Sequence, residues 1–217
     1  PDYQLDIEAS SPTARLNSTV NNGVNSLFFG HSDDADAGAI RYWGSAAGLG
    51  SYANAMTFNA AGTEAMRIDA AGIVTKPLQP AFQAHVWSNL QNLPINQAYT
   101  VPYGTERFDQ NSDFNNSTYT FTAPVTGKYQ LNGTVYLNNV VSATGYVEFY
   151  IITSNEIYYS ILSVNGFDTD LLYFTMPHTV LADMDAGDTA KVYLWLASGS
   201  QTADLQAETY FSGSLIC

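Results

Sequence analysis

The sequence predicts an all-β protein, and three observations lead to that prediction. Apolar and polar residues alternate over many short segments, which is the period of a strand with one buried face. Gly, Asn and Asp separate these segments and mark turns. No stretch repeats apolar residues with helical spacing over several turns. Only 12% of the 217 residues are charged, about half the usual fraction, so the polar surface consists mainly of uncharged side chains.

A proline-rich segment divides the chain. Pro77 and Pro80 interrupt any ladder of backbone hydrogen bonds and favour an extended connection. We therefore predict an N-terminal segment over residues 1–77 and a C-terminal head over residues 78–217.

The N-terminal segment contains short strands separated by polar turns. Each predicted strand contains too few apolar residues to cover a core. Ordering one residue costs about 1–2 kcal/mol of backbone entropy, so we expect partner chains to supply the missing apolar surface. The predicted strands are Tyr3–Ile7, Ala14–Leu16, Ser26–Gly30, Ala39–Trp43, Ala55–Phe58, Ala65–Ile68 and Ile73–Val74.

The head carries longer alternating segments, with turn signals between them at the spacing of an antiparallel sandwich or jelly roll. One of them, residues 128–137, places its odd-numbered residues on the core face. Another, residues 146–152, does not alternate cleanly, which suggests that both of its faces are covered, as at a subunit interface. The predicted strands are Ala81–Trp87, Tyr99–Val101, Ser117–Thr122, Lys128–Leu137, Tyr146–Thr153, Ile157–Val164, Leu171–Leu181, Thr189–Ala197 and Leu205–Ile216.

The order of motifs in the head is similar to that of a known family. Its most specific stretch is Phe-Thr-Ala-Pro-Val-Thr-Gly-Lys-Tyr over residues 121–129, followed by Gly187-Asp188 and a closing Phe-Ser-Gly-Ser-Leu-Ile over residues 211–216. Roughly residues 80–217 resemble the globular head of complement component 1q and the related tumour-necrosis-factor-like jelly rolls. The resemblance implies an antiparallel jelly roll that assembles as a tight homotrimer and serves recognition, not catalysis.

A second pattern lies in residues 56–74, where Asn-Ala-Ala-Gly and Asp-Ala-Ala-Gly each place Gly at a turn. This stretch resembles a segment common in bacteriophage tail fibres and tailspikes, where it precedes a receptor-binding tip. The resemblance implies an intertwined trimeric β-shaft. The usual motif has Arg or Lys where this chain has Ala65.

Charge and cysteine content exclude several classes of function. Seven Lys and Arg residues against 20 Asp and Glu residues give a net charge of −13, which argues against nucleic acid or an anionic membrane as a partner. No apolar run approaches the roughly 18 residues of a membrane span, so we expect no membrane insertion. The single cysteine, Cys217, excludes an intrachain disulfide and a cysteine-based zinc cluster.

No phosphate-binding loop and no nucleophile elbow occurs in the sequence, so nucleotide binding and serine hydrolysis are not supported, and we predict no catalytic residue. No cofactor is indicated apart from calcium, which requires six to eight oxygen ligands. Related heads sometimes hold calcium near the trimer apex, and Asp168 and Asp170 are the candidate ligands. The alternative is that these aspartates cap turns through their own backbone.

Aromatic residues provide the strongest indication of binding. Tyrosine is abundant, with 15 residues, and it combines a flat apolar ring with a hydroxyl group at low entropic cost. The same residues could instead fill a trimer interface. The candidates for receptor binding are Tyr103, Phe114, Asn115, Asn116, Asn139, Tyr158, Asn165 and Phe167.

Together these observations predict a homotrimeric bacteriophage tail-fibre or receptor-binding protein, located on the virion and outside the cell. Its partners would be a host-surface glycan or protein and other tail or capsid proteins, and three weak sites would act together. The alternatives are a structural fibre, a capsid decoration protein or a trimerising cap, an extracellular lectin-like protein, and a depolymerising tailspike with paired carboxylates.

Overall fold

A computed structural model describes residues 14–45, 50–200 and 202–217. Its chain contacts divide it into two compact units, Pro1–Leu78 and Gln79–Cys217. In the described part of the chain, no helix is long and apolar enough to cross a membrane.

The first unit contains one antiparallel sheet in which consecutive strands are neighbours, in the order β1-β2-β3-β4-β5. Ala61 and Gly62 both have positive φ angles, 48° and 72°, and form the two-residue turn between β3 and β4. Asp69 Oδ1 accepts hydrogen bonds from the backbone N–H groups of Ala71 and Ile73 in the next turn. Both turns therefore lie where the sequence predicts them. The strands are β1 (Val24–His31), β2 (Asp34–Trp43), β3 (Met56–Ala60), β4 (Thr63–Ile68) and β5 (Val74–Thr75).

The two faces of this sheet differ in chemistry. The polar face carries Arg41, Trp43 and Asn59, and it includes Ala39, Ala55 and Thr57, the buried residues of the described part of this unit. The opposite face, called the apolar face below, has no buried residue among those described. The unit therefore leaves most of its apolar side chains uncovered. The apolar face consists of Leu27, Phe29, Ile40, Tyr42, Met56, Phe58, Met66, Ile68 and Val74.

One predicted strand of this unit is wrong. Ala14–Leu16 is irregular: Ser18 hydrogen-bonds locally with Val20, and none of the described strands pairs with this stretch. The predicted strand Tyr3–Ile7 lies outside the described residues.

The second unit is built from twelve strands among its described residues. Most follow the predicted segments. The segment predicted as one strand over Leu205–Ile216 is split, because Glu208 adopts a positive φ of 69° and turns the chain. The strands are β6 (Ala81–His85), β7 (Tyr99–Thr100), β8 (Thr105–Asp109), β9 (Phe114–Asn115), β10 (Thr120–Thr122), β11 (Gly127–Val140), β12 (Tyr146–Thr153), β13 (Ile157–Ser163), β14 (Leu171–Met184), β15 (Thr189–Ala197), β16 (Asp204–Leu205) and β17 (Tyr210–Leu215).

These strands form two antiparallel sheets. The β12 sheet has the order β13-β12-β15-β10-β9, with β7 beside β15. The β11 sheet has the order β14-β11-β17-β6-β8, with β16 beside β11. The chain crosses from one sheet to the other at every connection except those between β9 and β10, β12 and β13, and β16 and β17. This connectivity is that of a jelly roll, so the predicted all-β jelly-roll fold is confirmed.

A core of aromatic and aliphatic side chains fills the space between the two sheets. The ring of Phe82 stacks on Phe114 and Phe121, with centroids 4.9 and 4.7 Å apart, and meets the edge of Phe211 at 5.1 Å. The predicted core face of β11 is confirmed, because all its members are buried. Those members are Tyr129, Leu131, Gly133, Val135 and Leu137.

Candidate functional site

The outer face of the β12 sheet carries a row of three tyrosines. Tyr159 of β13 and Tyr193 of β15 lie on either side of Tyr150 of β12. Their rings are 5.3 and 5.5 Å from the ring of Tyr150, and the rings of Tyr150 and Tyr193 are nearly parallel, at 11°. Because neighbouring strands are about 4.8 Å apart, the row is about 10 Å long. We call this row and its neighbours the tyrosine face.

Further apolar residues extend this surface. One flanking row contains Ile161, Glu148 and Trp195, and the other contains Ile157, Ile152 and Lys191. Tyr159 is 52% exposed and Ile161 is 60% exposed. Tyr150, Tyr193 and Trp195 are half-buried. A patch of exposed and half-exposed aromatic and aliphatic side chains with charged residues among them is typical of a binding surface.

The electrostatics of the tyrosine face favour hydrogen bonding by neutral hydroxyl groups. Burial raises the pKa of Tyr150, and the neighbouring Tyr159, Glu148 and Tyr193 raise it further. The phenol therefore stays protonated at neutral pH and can both donate and accept a hydrogen bond. Glu148 and Lys191 add one acceptor and one donor near the row. Such an arrangement can hold a flat ligand rich in hydroxyl groups.

Two of the predicted receptor contacts are corrected by the structure. Tyr103 is fully buried in the core, where its hydroxyl donates a 3.5 Å hydrogen bond to the carbonyl of Thr134. Burial raises its pKa well above the usual value. Phe114 is buried against Phe82. Both rings pack into the sandwich, so these two side chains cannot contact a receptor.

The neighbouring Asn115 and Asn116 remain exposed and line a pocket of about 600 Å³. Asn115 Oδ1 accepts hydrogen bonds from the backbone N–H groups of Ser117 and Thr118, at 2.9 and 3.0 Å, and so holds the following turn. Asp113 lies in the same pocket, where burial and then the charge of Asp109 raise its pKa. This pocket is polar and lacks an exposed aromatic ring.

The other predicted contacts are dispersed over the head. Asn139 donates a 3.0 Å hydrogen bond to Asp204 Oδ2. Tyr158 is half-buried beside an acidic pocket that includes Asp183 and Asp185. Asn165 and Phe167 lie at the single helical turn after β13, where Asn165 accepts a hydrogen bond from Ser163 and Phe167 is exposed. No shared site joins these residues in the described structure.

The predicted calcium ligands, Asp168 and Asp170, are both exposed. Asp170 Oδ1 accepts hydrogen bonds from the backbone N–H of Ser142 at 2.7 Å and from its hydroxyl at 3.0 Å, which lowers the pKa of Asp170. Over residues 14–45, 50–200 and 202–217, no group of three or more His, Cys, Asp or Glu side chains is placed to hold a metal ion. Asp170 thus has a structural role in joining two loops, and calcium binding stays a prediction.

Sequence reasoning missed the tyrosine face, although a signal for it was present. The stretch Tyr146–Ile152 lacks clean alternation, and this predicted a covered outer face. The row itself depends on the register of three strands that are separated in sequence, with Tyr150 opposite Tyr159 on one side and Tyr193 on the other. That register follows from tertiary pairing and cannot be read from any single strand.

Comparisons with known proteins show similarity in fold to solved structures. No family model matches the sequence, and no curated protein matches it. Among solved structures, the chain is similar to the globular domain of zebrafish complement 1qA protein, with 17% identity and a TM-score of 0.48, covering 64% of this chain and 98% of that one. It is also similar to Eiger TNF from S. frugiperda (10% identity, TM-score 0.47, 64% and 91% coverage) and to murine APRIL (11% identity, TM-score 0.45, 64% and 99% coverage). Similarity at this level carries no inference about function.

Proposed function

We propose that this chain is a bacteriophage tail-fibre or related receptor-binding fibre protein whose jelly-roll head binds a glycan on the host surface. The tyrosine face is the observation that carries this proposal. Sugar rings present apolar C–H faces and many hydroxyl groups, and tyrosine offers an apolar ring together with a hydroxyl. The row formed by Tyr150, Tyr159 and Tyr193 suits an extended saccharide lying across three strands.

Assembly into a homotrimer is part of the proposal. The apolar face of the first unit is uncovered in the single chain, with Phe29 54% exposed, and copies of the same chain offer a complementary apolar surface. The resemblance of residues 56–74 to tail-fibre segments supports a trimeric shaft. Three copies of a weak saccharide site on one particle can raise the effective affinity by about 10² or more.

Binding to cells and to immobilised polysaccharides tests the proposed function. The full-length protein is labelled and applied to an array of bacterial surface polysaccharides and to candidate host cells. We expect binding to a subset of them and a loss of at least about tenfold for Tyr159→Ala, because its ring is the most exposed of the row. Tyr173→Ala is the matched control, since Tyr173 is 62% exposed on the β11 sheet. The mass in solution is measured for both variants.

Two results would contradict this function. If the wild-type protein binds no cell and no polysaccharide, receptor binding is rejected and the structural fibre remains as the alternative. If it binds but shortens the bound polysaccharide, which the appearance of new reducing ends would show, it is a depolymerase. Equal loss of binding in both tyrosine variants would remove the tyrosine face as the binding surface.

A further inference from the structure

The polar face of the first sheet contains a pocket, and none of its lining residues belongs to the tyrosine face. Its volume is about 560 Å³, within the range of roughly 300–1,000 Å³ that is typical of small-molecule sites. Trp43 and Tyr52 form an aromatic wall, with ring centroids 4.7 Å apart and planes inclined by 45°. Arg41 and Asn59 also line the pocket.

A network of hydrogen bonds holds these side chains in place. Trp43 Nε1 donates to Thr57 Oγ1 at 3.1 Å, and the hydroxyl of Thr57, a buried residue, donates to Asn59 Oδ1 at 3.2 Å. The carbonyl oxygen of Asn59 accepts this bond, so the side-chain amide is oriented and its NH2 group is available as a donor to a ligand. The pocket is therefore pre-organised and presents a donor beside the aromatic wall.

A second network of contacts holds Tyr52, Arg67 and Glu64 together. The guanidinium of Arg67 lies 3.9 Å from the centre of the Tyr52 ring. It donates to both carboxylate oxygens of Glu64, at 2.9 and 3.0 Å, and to Ser51 Oγ at 2.8 Å. The negative charge of Glu64 is thus neutralised inside the pocket, and it does not repel an anionic ligand.

Arg41 gives the pocket a net positive charge. It lies over the ring of Phe28, 5.4 Å from its centre, and no carboxylate of the described residues forms an ion pair with it. Arg41 and Trp43 are two residues apart on β2 and project from the same face, about 7 Å apart. In a chain with a net charge of −13, a positive pocket with an aromatic wall indicates a selective anion site.

The pocket lies on the face of the sheet opposite the apolar face, because successive residues of a strand point to opposite sides. Contacts made by the apolar face would therefore not involve the strand residues that line the pocket.

From these observations we propose that the pocket binds a carboxylate-bearing sugar of the uronic acid class. The sugar ring lies against Trp43, the carboxylate pairs with Arg41, and a hydroxyl accepts a hydrogen bond from the amide of Asn59. This site is additional to the tyrosine face and does not depend on glycan binding there. A chain with both sites would contact saccharide at two separate places.

Calorimetric titration of the full chain with trigalacturonate tests this site, and the fully methyl-esterified trisaccharide tests the requirement for the carboxylate. We expect saturable binding of the acid and at least about tenfold weaker binding of the ester, because the ester cannot form a charge-assisted hydrogen bond with Arg41. Arg41→Gln should weaken binding of the acid by a similar factor. Asn59→Asp should abolish it, because the new carboxylate repels the ligand.

Controls separate this site from general charge effects and from the tyrosine face. Arg15→Gln removes the same charge from an exposed residue that does not line the pocket, and binding should be unchanged. Tyr159→Ala should also leave it unchanged. The proposal is overturned if the wild-type chain binds neither probe, if acid and ester bind equally, or if Arg15→Gln weakens binding as much as Arg41→Gln. Melting curves show whether each variant is folded.

Discussion

Two consecutive phenylalanines on β1 provide a direct test of the proposed shaft. Phe28 and Phe29 are 48% and 54% exposed in the single chain, and they point to opposite faces of the first sheet, since Phe28 pairs with Ala39 and Phe29 with Gly38. Only Phe29 lies on the apolar face. We predict that Phe29→Glu disrupts assembly of the N-terminal unit and that Phe28→Glu does not.

The magnitude follows from the exposed fraction and the charge. Full burial of a phenylalanine side chain contributes about 1.5–3 kcal/mol, so covering the exposed half of Phe29 contributes about 1 kcal/mol per chain. A glutamate buried there must be neutralised, which costs about 3.7 kcal/mol at pH 7 for an ordinary pKa of about 4.3. Three chains together lose about 14 kcal/mol, more than the roughly 12.3 kcal/mol that holds a nanomolar complex together.

Phe28→Glu has no such cost, because its side chain stays in solvent beside Arg41. We expect a change in stability of only about 0.5 kcal/mol, as for other surface substitutions.

The assay combines the mass in solution with amide hydrogen exchange of the full chain. For a chain of 23.6 kDa, we expect about 71 kDa for the wild type and for Phe28→Glu. Phe29→Glu should show faster exchange over residues 24–68, and a lower mass if the head does not hold the chains together by itself. Equal mass and equal exchange in the two variants would refute burial of the apolar face.

Three further predictions concern the stability of the head. Phe82→Ala should reduce the free energy of unfolding by about 3–5 kcal/mol, because the ring is buried among three other rings. Denaturant titration measures this loss, with the milder Phe82→Leu change as the control. A loss below about 1 kcal/mol would contradict the packing. Burial lowers the pKa of His178, so the unfolded state binds the proton more readily and stability should fall as the pH drops below about 6.5; His178→Gln should flatten this part of the pH profile. Burial raises the pKa of Asp113, and Asp109 adds to the effect, so Asp113→Asn should raise the melting temperature at pH 7 and leave it unchanged near pH 3, where the carboxyl is protonated in both states. A lower melting temperature of the Asp113→Asn variant at pH 7 would contradict the destabilising effect of the Asp113 carboxylate.

Local pattern predicted the fold class well and the candidate site poorly. Alternation along β11 is enough to assign its buried face, because the side-chain period of a strand is two. The paired turns at Gly62 and Gly72 follow from the need for positive φ angles. In contrast, Tyr103 and Phe114 appear between turn-forming residues, and only the closed sandwich shows that their rings are part of the core.

The sequence also does not predict which side chains share a face of the first sheet. The sequence shows that residues 1–77 have too little apolar surface for a stable core, which is a matter of composition and strand length. It does not show that most of the large apolar side chains lie on one face of the sheet. The strand register collects Leu27, Phe29, Ile40 and Phe58 on one face and places Arg41, Trp43 and Asn59 on the other.

By itself, then, the sequence determined the all-β class, most strand positions, the acidic composition and the shortage of apolar residues in the N-terminal segment. Each of these depends on composition or on the period of neighbouring residues along the chain. The tertiary structure decided which strands lie side by side. It thereby placed Tyr150 between Tyr159 and Tyr193, and it joined Trp43 and Thr57 in one pocket. These juxtapositions arise from pairing between residues distant in sequence, and local periodicity carries no information about them.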